Sequence, residues 1–253
     1  MLRVLGDTPC PVVPHAVDGV PVVEIGPYCF ADKPVTGGTL WPADSADTHE
    51  ITGNFVEEVT LPDAVRVIDS AAFYNCRRLR RVALGPTADS FGSDLFTNCR
   101  SLQTLELHAA PGEPTGLRRL LVAISADVTV AFTGGARLFY PEYFELLDEN
   151  TPAHIFNHSI EGEGYRMRQC FAPDGSLDFA AYDASFAQAC VGESEEKLCK
   201  LALGRLCLPY ALSDDARADY EFYLTAHPDA AFTLAITARE ETAVRLLVGL
   251  GLP

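Results

Sequence analysis

The 253-residue sequence contains no run of about 18 apolar residues, so it offers no transmembrane helix. Basic residues are also scarce, because 19 Lys and Arg stand against 35 Asp and Glu and give a net charge of −16. This excess of negative charge repels phosphate groups, which argues against nucleic acid or an anionic membrane as the main partner. The opening residues, MLRVLGDTPC, lack the long apolar segment of a signal peptide. We therefore expect a cytoplasmic protein that neither binds nucleic acid nor inserts into a membrane.

Recognisable catalytic and metal-binding motifs are equally few. The sequence has no C-x-x-C and no G-x-S-x-G, and GEGYR at 162–166 lacks the Lys-Ser/Thr of a phosphate loop. His154 and His158 would share one face of a helix and with Cys170 would suggest zinc, but no fourth ligand is evident. We expect no catalytic residue, metal or other cofactor. An enzyme with its site in the C-terminal half, near these three residues, is kept as an alternative.

A short pattern occurs twice at a fixed offset. Residues 71–84 read AAFYNCRRLRRVAL, and residues 94–107 read DLFTNCRSLQTLEL, so the same positions recur 23 residues later. The matched positions are apolar, Asn or Cys, apart from Arg77 over Arg100, while the residues between them vary. This arrangement is typical of a repeat protein in which matched side chains stack on their counterparts in the next coil.

The alternation within L-x-x-V-x-L predicts one strand per coil, and the constant offset makes these strands parallel. The register extends upstream, where Ile25 falls on Ile68 and Phe30 on Phe73. We count about three and a half units. The repeated Cys is expected to be a reduced, buried apolar residue, and the repeated Asn to bond backbone groups at a turn.

Two further segments complete the predicted repeat region. Residues 33–52 are rich in Gly, Pro, Asp and Thr, and they predict a loop insert within the first unit. Because a stack of coils has open ends, residues 1–19 are expected to cap one end. The chain after residue 133 is expected to cap the other.

The segments DGVPVVEIGPYCF, IDSAAFYNCRRLRRVAL and FGSDLFTNCRSLQTLEL resemble the BspA-type leucine-rich repeats that are common in bacterial proteins. The resemblance covers roughly residues 10–132 and departs from the family pattern at the insert, at Cys29 in place of Ala, and at the helix-like piece 116–124. It implies a right-handed solenoid whose strand face binds other proteins. Because many family members are surface or secreted proteins, it also implies an alternative function as a surface adhesin or host-interaction protein.

The sequence changes character after TGGAR (133–137), which we interpret as a glycine hinge. Helical patterns follow, and Ser194 and Ser213 precede acidic residues as at helix starts. Residues 229–251 resemble one ankyrin-type helix pair. The predicted fold class is α+β, with a leucine-rich-repeat solenoid at 1–133 and a mainly α-helical domain at 134–253. The segments expected to be helical are LFYPEYFELLDEN (138–150), SLDFAAYDASFAQAC (176–190), SEEKLCKLALGRLCLPY (194–210), SDDARADYEFYLTAH (213–227) and the final run.

The variable strand positions are the candidate site. They face away from the core, so we predict a non-catalytic scaffold that uses them to bind an unidentified protein partner. Arg80 and Arg81 belong to a local basic cluster, which is either a ladder of internal charge pairs or a docking patch for acidic groups. The candidate partner-binding residues are Glu57, Glu58, Thr60, Arg80, Arg81, Gln103, Thr104 and Glu106.

Overall fold

The computed structural model describes residues 1–33, 49–150 and 155–252. The chain divides into two compact units, Met1–Ile124 with Val130–Gly134 and Ser125–Thr129 with Gly135–Pro253. Most of the predicted insert at 33–52 lies outside the described residues. Its C-terminal end is described, and there His49–Glu50 forms a strand that pairs antiparallel with Leu5–Gly6.

The first unit is a β-solenoid of about three turns. Its strands are short, as expected when each coil contributes only a few residues to each side of the stack. The elements are β1 (Leu5–Gly6), β2 (Ala16–Val17), β3 (Val20–Pro21), β4 (Glu24–Ile25), β5 (His49–Glu50), β6 (Glu58–Thr60), β7 (Val67–Ile68), β8 (Arg81–Leu84), β9 (Ser90–Phe91), β10 (Thr104–Leu107), helix α1 (Leu117–Val122) and β11 (Val128–Phe132).

The predicted parallel register is confirmed. β8 lies between β6 and β10, with Val59 opposite Val82 and Val82 opposite Leu105. A second parallel sheet has the order β4-β7-β9, and in it Ile68 lies between Ile25 and Phe91. The matched apolar side chains therefore form rows that run through the coils.

An aromatic row shows the stacking most directly. The Phe73 ring lies between Phe30 and Phe96, with ring centroids 5.1 Å and 5.4 Å away and planes inclined by 5° and 13°. Phe30 and Phe73 are fully buried. Because buried aromatic pairs contribute beyond the area they bury, this row stabilises the solenoid along its length.

The turns, like the strands, have the same backbone conformation in successive coils. Asn75 and Asn98 both adopt the left-handed backbone conformation, with φ of 62° and 63°, which Asn tolerates better than most residues. The prediction that their side chains bond backbone groups is wrong, because the Asn98 side-chain amide donates to the Asn75 amide oxygen at 2.7 Å. The thiols beside them are hydrogen-bonded, with Cys76 donating to the Phe30 carbonyl and Cys99 to the Phe73 carbonyl.

The N-terminal residues run along the first coil. Arg3, whose side chain is 8% exposed, donates from Nη1 to the carbonyls of Tyr28, Cys29 and Ala31. Residues 9–13 then follow β6, where the Thr60 N–H donates to Pro11 and the Val13 N–H donates back to Thr60. The prolines at 9, 11 and 14 carry no N–H group, so this edge offers few donors to another strand. The predicted helix near 116–124 is present as α1 and packs near β9.

The second unit begins with strands. The predicted helix over 138–150 is wrong, because Pro141 interrupts the segment and a strand forms on each side of it. Of the predicted hinge at 133–137, residues 133–135 form a turn and the last two residues begin the first strand. The strands are β12 (Ala136–Tyr140), β13 (Phe144–Asn150) and β14 (Ile155–Glu161), and the last two pair antiparallel.

Helices dominate the remainder of this unit, as predicted. The two Ser residues expected at helix starts are N-caps, since the Ser194 and Ser213 hydroxyls accept from the N–H groups of Lys197 and Ala216. The helices are α2 (Gly164–Met167), α3 (Phe179–Ala184), α4 (Phe186–Gly192), α5 (Glu195–Cys207), α6 (Asp214–Ala226), α7 (Pro228–Thr237) and α8 (Glu241–Gly249). The segment 229–251 does form a helix pair, α7 with α8.

Helix α5 is the centre of the helical core and packs against β12, α6, α7 and α8. It carries the fully buried Arg205, whose Nε and Nη2 donate to the two carboxylate oxygens of Asp183 at 2.7 and 2.8 Å. The Tyr220 hydroxyl donates to the same carboxylate at 2.8 Å. These bonds offset part of the cost of burying both charges, and Arg205 Nη1 is buried without a hydrogen-bond partner among the described residues.

Within the described ranges, no helix is long and apolar enough to cross a membrane.

Candidate functional site

The eight candidate residues lie together on the outer face of the β6-β8-β10 sheet. One row runs Glu58, Arg81, Thr104, and a second runs Thr60, Ala83, Glu106. Just before the strands, the Arg80 N–H donates to the Glu57 carbonyl, and the Gln103 N–H donates to that of Arg80. The side chains are at least partly exposed, apart from the buried Ala83, which was not among the predicted residues.

Charges on this face are paired across neighbouring coils. Arg80 Nη2 lies 2.9 Å from a Glu57 carboxylate oxygen, and Arg78 bonds the other oxygen of the same carboxylate. Arg81 bridges two coils, at 3.5 Å from Glu58 and 2.7 Å from Glu106. Of the two interpretations of the basic cluster, the internal charge ladder is therefore present.

This ladder is electrically balanced, since three arginines meet three glutamates. The Arg80 side chain is 52% exposed and that of Arg81 is 29% exposed. Exposed pairs of this kind contribute only about 0–1 kcal/mol each to stability. The ladder therefore fixes the orientation of the arginine side chains more than it stabilises the fold.

An open groove adjoins the ladder. Its volume is about 540 Å³, and it lies between the N-terminal segment and the residues that follow β6. Most of its lining is apolar, and it meets the outer face at Thr60 and at His108, whose Nε2 lies 3.7 Å from Glu106. The lining residues are Val12, Val13, Pro14, His15, Thr60, Leu61, Pro62, Asp63, Ala64 and His108.

Sequence reasoning missed the groove because it depends on contacts across non-adjacent coils. His108 Nδ1 lies 2.7 Å from Asp63 Oδ1, two coils away. Gly85 occupies the coil between them, and a side chain there would meet the Asp63 backbone, because an added Cβ would lie 2.3 Å from its Cα. In the repeat register Gly85 lies between Pro62 and His108, and this glycine was the sequence signal that the coils approach closely here.

The alternative site in the C-terminal half does not have the geometry assumed from the sequence. His154 lies outside the described residues, and His158 belongs to strand β14 and not to a helix. The exposed His158 ring lies 3.2 Å from Glu145. The Cys170 thiol faces the Arg166 carbonyl, and burial raises its pKa to about 11. A thiol of such high pKa is poorly suited to act as a nucleophile.

The three cysteines nearest the repeat turns are equally poor nucleophiles. Burial raises the pKa of Cys29 and Cys99 to about 12 and raises that of Cys76 as well. Among the residues that the structure describes, no three His, Cys, Asp or Glu side chains are grouped to hold a metal ion.

Comparison with known families supports the repeat assignment. A model for the BspA type leucine rich repeat region matches residues 51–112, in six copies. These residues include strands β6 to β10, on which the candidate outer face lies. No curated protein and no solved structure matches the chain.

Proposed function

Because residues 51–112 form a BspA-type leucine-rich repeat region, we propose that the chain is a non-catalytic scaffold that binds another protein through the outer face of its solenoid. The residues proposed to contact the partner are the eight side chains of the outer face together with the adjoining groove. Leucine-rich repeat solenoids commonly mediate protein interactions, and a repeat stack presents an extended binding surface.

The main support for this proposal is that the apolar groove directly adjoins the polar outer face of the strands. Protein interfaces typically combine an apolar centre with a polar rim. Here Val12 is 74% exposed at the groove, and the arginines beside it are held in place by glutamates. Side chains that are ordered before binding lose less conformational entropy when a partner arrives.

The first test is affinity capture from native cell lysate with identification by mass spectrometry. Arg80→Gln with Arg81→Gln should lose the captured partner, while Arg66→Gln with Arg118→Gln should retain it. The control removes the same charge from two exposed arginines outside the outer face. Glutamine is used because glutamate would place like charges against Glu57, Glu58 and Glu106. Equal capture by both double variants would contradict the proposed role of the outer face.

The groove can be tested separately with two exposed valines. Val12 lines the groove, whereas Val20 is 67% exposed in the β2-β3 hairpin and does not line it. Val12→Glu should abolish capture, because it places a charge in an apolar site, and Val20→Glu should not. Both variants should melt within a few degrees of the parent, since neither residue is buried.

We further propose that the protein acts in the cytoplasm. The free cysteines of the described chain support this proposal, since reduced thiols persist in a reducing compartment. When cells are separated into surface and cytoplasmic fractions, the chain should be found in the cytoplasmic fraction. Recovery of intact chain at the cell surface would favour the adhesin alternative.

A further inference from the structure

The basic cluster of the repeat region consists of five arginines, and ion pairing divides them into two groups. They are Arg77, Arg78, Arg80, Arg81 and, one coil on, Arg100. Arg78, Arg80 and Arg81 are neutralised by glutamates of neighbouring coils. Arg77 and Arg100 are exposed, and neither forms an ion pair or a side-chain hydrogen bond with another described residue. The repeat register places all five arginines in two adjacent coils, and ion pairing separates the two groups.

The unpaired arginines occupy equivalent positions in adjacent coils. The Arg77 N–H donates to the Asn75 carbonyl at 2.8 Å, and the Arg100 N–H donates to the Asn98 carbonyl at 2.9 Å. The hydrogen bond between the two Asn side chains ties the turns together. Adjacent strands of a sheet lie about 4.8 Å apart, so the Cα atoms of Arg77 and Arg100 are separated by about one coil spacing. We call the exposed surface formed by these two residues the ridge.

This placement puts two arginines at equivalent positions of adjacent coils in a protein of net charge −16. Like charges at this spacing repel each other, and a neighbouring side chain of opposite charge would relieve the repulsion. The nearby glutamates are already engaged by the other arginines. No carboxylate of the described chain therefore neutralises Arg77 or Arg100, and both guanidinium groups are accessible to an acidic group from outside.

We propose that Arg77 and Arg100 form a docking site for an acidic segment of a partner protein, with one carboxylate meeting each guanidinium group. Acidic side chains four residues apart on a helix lie about 5–6 Å from each other, and those two apart on a strand about 7 Å. Flexible arginine side chains can reach either spacing, and their planar groups pair well with carboxylates. This site goes beyond the proposed function, because neither arginine belongs to the outer-face rows.

A protein partner fits this ridge better than a polyphosphate does. Nucleic acids bind through many phosphate contacts, whereas the ridge offers two charges within a strongly acidic molecule. The excess negative charge of the rest of the chain would repel a long polyanion. A short acidic segment presents only the few charges that the ridge can neutralise.

The test uses the full-length protein and a fluorescent, capped decapeptide of Ser and Thr with two central Glu residues two positions apart, with binding followed by anisotropy at low salt. Arg77→Gln with Arg100→Gln should weaken binding about fivefold to tenfold relative to the parent. Arg66→Gln with Arg118→Gln is the matched control, since it changes net charge equally at exposed positions. That control should bind within about twofold of the parent, and the melting temperature of the ridge variant should stay unchanged or rise slightly.

A second comparison removes one carboxylate from the peptide. Replacing one central Glu by Gln should weaken binding to the parent protein but have little effect on the Arg100→Gln variant, because that variant has already lost a paired group. The proposal is overturned if the parent does not bind the decapeptide, or if the control variant loses as much affinity as the ridge variant. Tighter binding of inorganic polyphosphate, lost in the same variants, would also overturn it.

Discussion

The two units of this molecule achieve a buried core in different ways. In the solenoid the same contacts recur from coil to coil, as in the rings of Phe30, Phe73 and Phe96. In the C-terminal unit the central contacts occur once, as in the buried pair of Arg205 with Asp183. In the solenoid many similar contacts each contribute a little to the free energy of unfolding. In the C-terminal unit a few polar atoms contribute a large share of it. The two cores should therefore respond differently to single substitutions.

The largest effect is expected at the unique contact. Asp183→Ala leaves the charge of the fully buried Arg205 without its carboxylate and removes the partner of Tyr220. We expect a loss of about 3–5 kcal/mol in the free energy of unfolding, measured with denaturant. Asp219→Ala, which removes an exposed carboxylate from α6, is the control and should cost at most about 0.5 kcal/mol. A similar small loss of unfolding free energy in both variants would show that the buried pair does not contribute more than an exposed carboxylate.

The repeated contact should give a graded response. Phe73→Leu removes two ring pairs and should cost about 1–3 kcal/mol, whereas Phe96→Leu removes one and should cost about 0.5–1.5 kcal/mol. Denaturant unfolding of both variants and of the double variant provides the comparison. Equal costs at the two positions would contradict the view that stability here depends on the number of stacked neighbours.

The smallest effect at neutral pH concerns the pH dependence of the solenoid, which appears only above pH 9. Burial raises the pKa of the Cys29 thiol from 9.0 to about 12, so the folded state holds this proton more tightly than the unfolded state does. The stability from the neutral thiol is therefore fully present below pH 9 and is lost as the pH rises towards 12.

The check is the slope of unfolding free energy against pH above pH 9. Cys29→Ala should flatten this slope by at most about 1.4 kcal/mol per pH unit. Cys10→Ala, at an exposed position, should leave the slope unchanged. An unaltered slope in Cys29→Ala would mean that the thiol ionises as easily in the folded as in the unfolded state.

The same contrast explains what could be predicted from the sequence. A row such as Ile25, Ile68 and Phe91 reveals itself by its constant spacing, because coils that stack in register need similar side chains at matched positions. Contacts that occur once leave no such signal. Neither the Arg205–Asp183 pair nor the strand nature of 138–150 could be read from spacing, since short apolar runs suit helix and strand alike.

For the candidate site, periodicity predicted which residues share the outer face but not their electrostatic state. Arg77 and Arg81 look alike in the sequence, yet Arg81 is paired with Glu58 and Glu106 while Arg77 is not. Gly85 was a sequence signal near the groove, but the shape of the groove depends on where residues 12–15 lie against the coil. The ion pairs and the shape of the groove depend on distances between side chains. A fixed spacing along the chain does not determine these distances.

One 23-residue step along the chain is one coil of the stack. Deleting residues 80–102, one full step, joins Leu79 to Gln103 and restores the repeated pattern. Deleting residues 80–91 removes about half a step and destroys the register. Hydrogen exchange and denaturant unfolding of the first deletion should show a cooperatively folded solenoid with protected strands, while the second should lose that protection. If both deletions unfold the solenoid, or both leave it equally protected, the coil assignment is wrong.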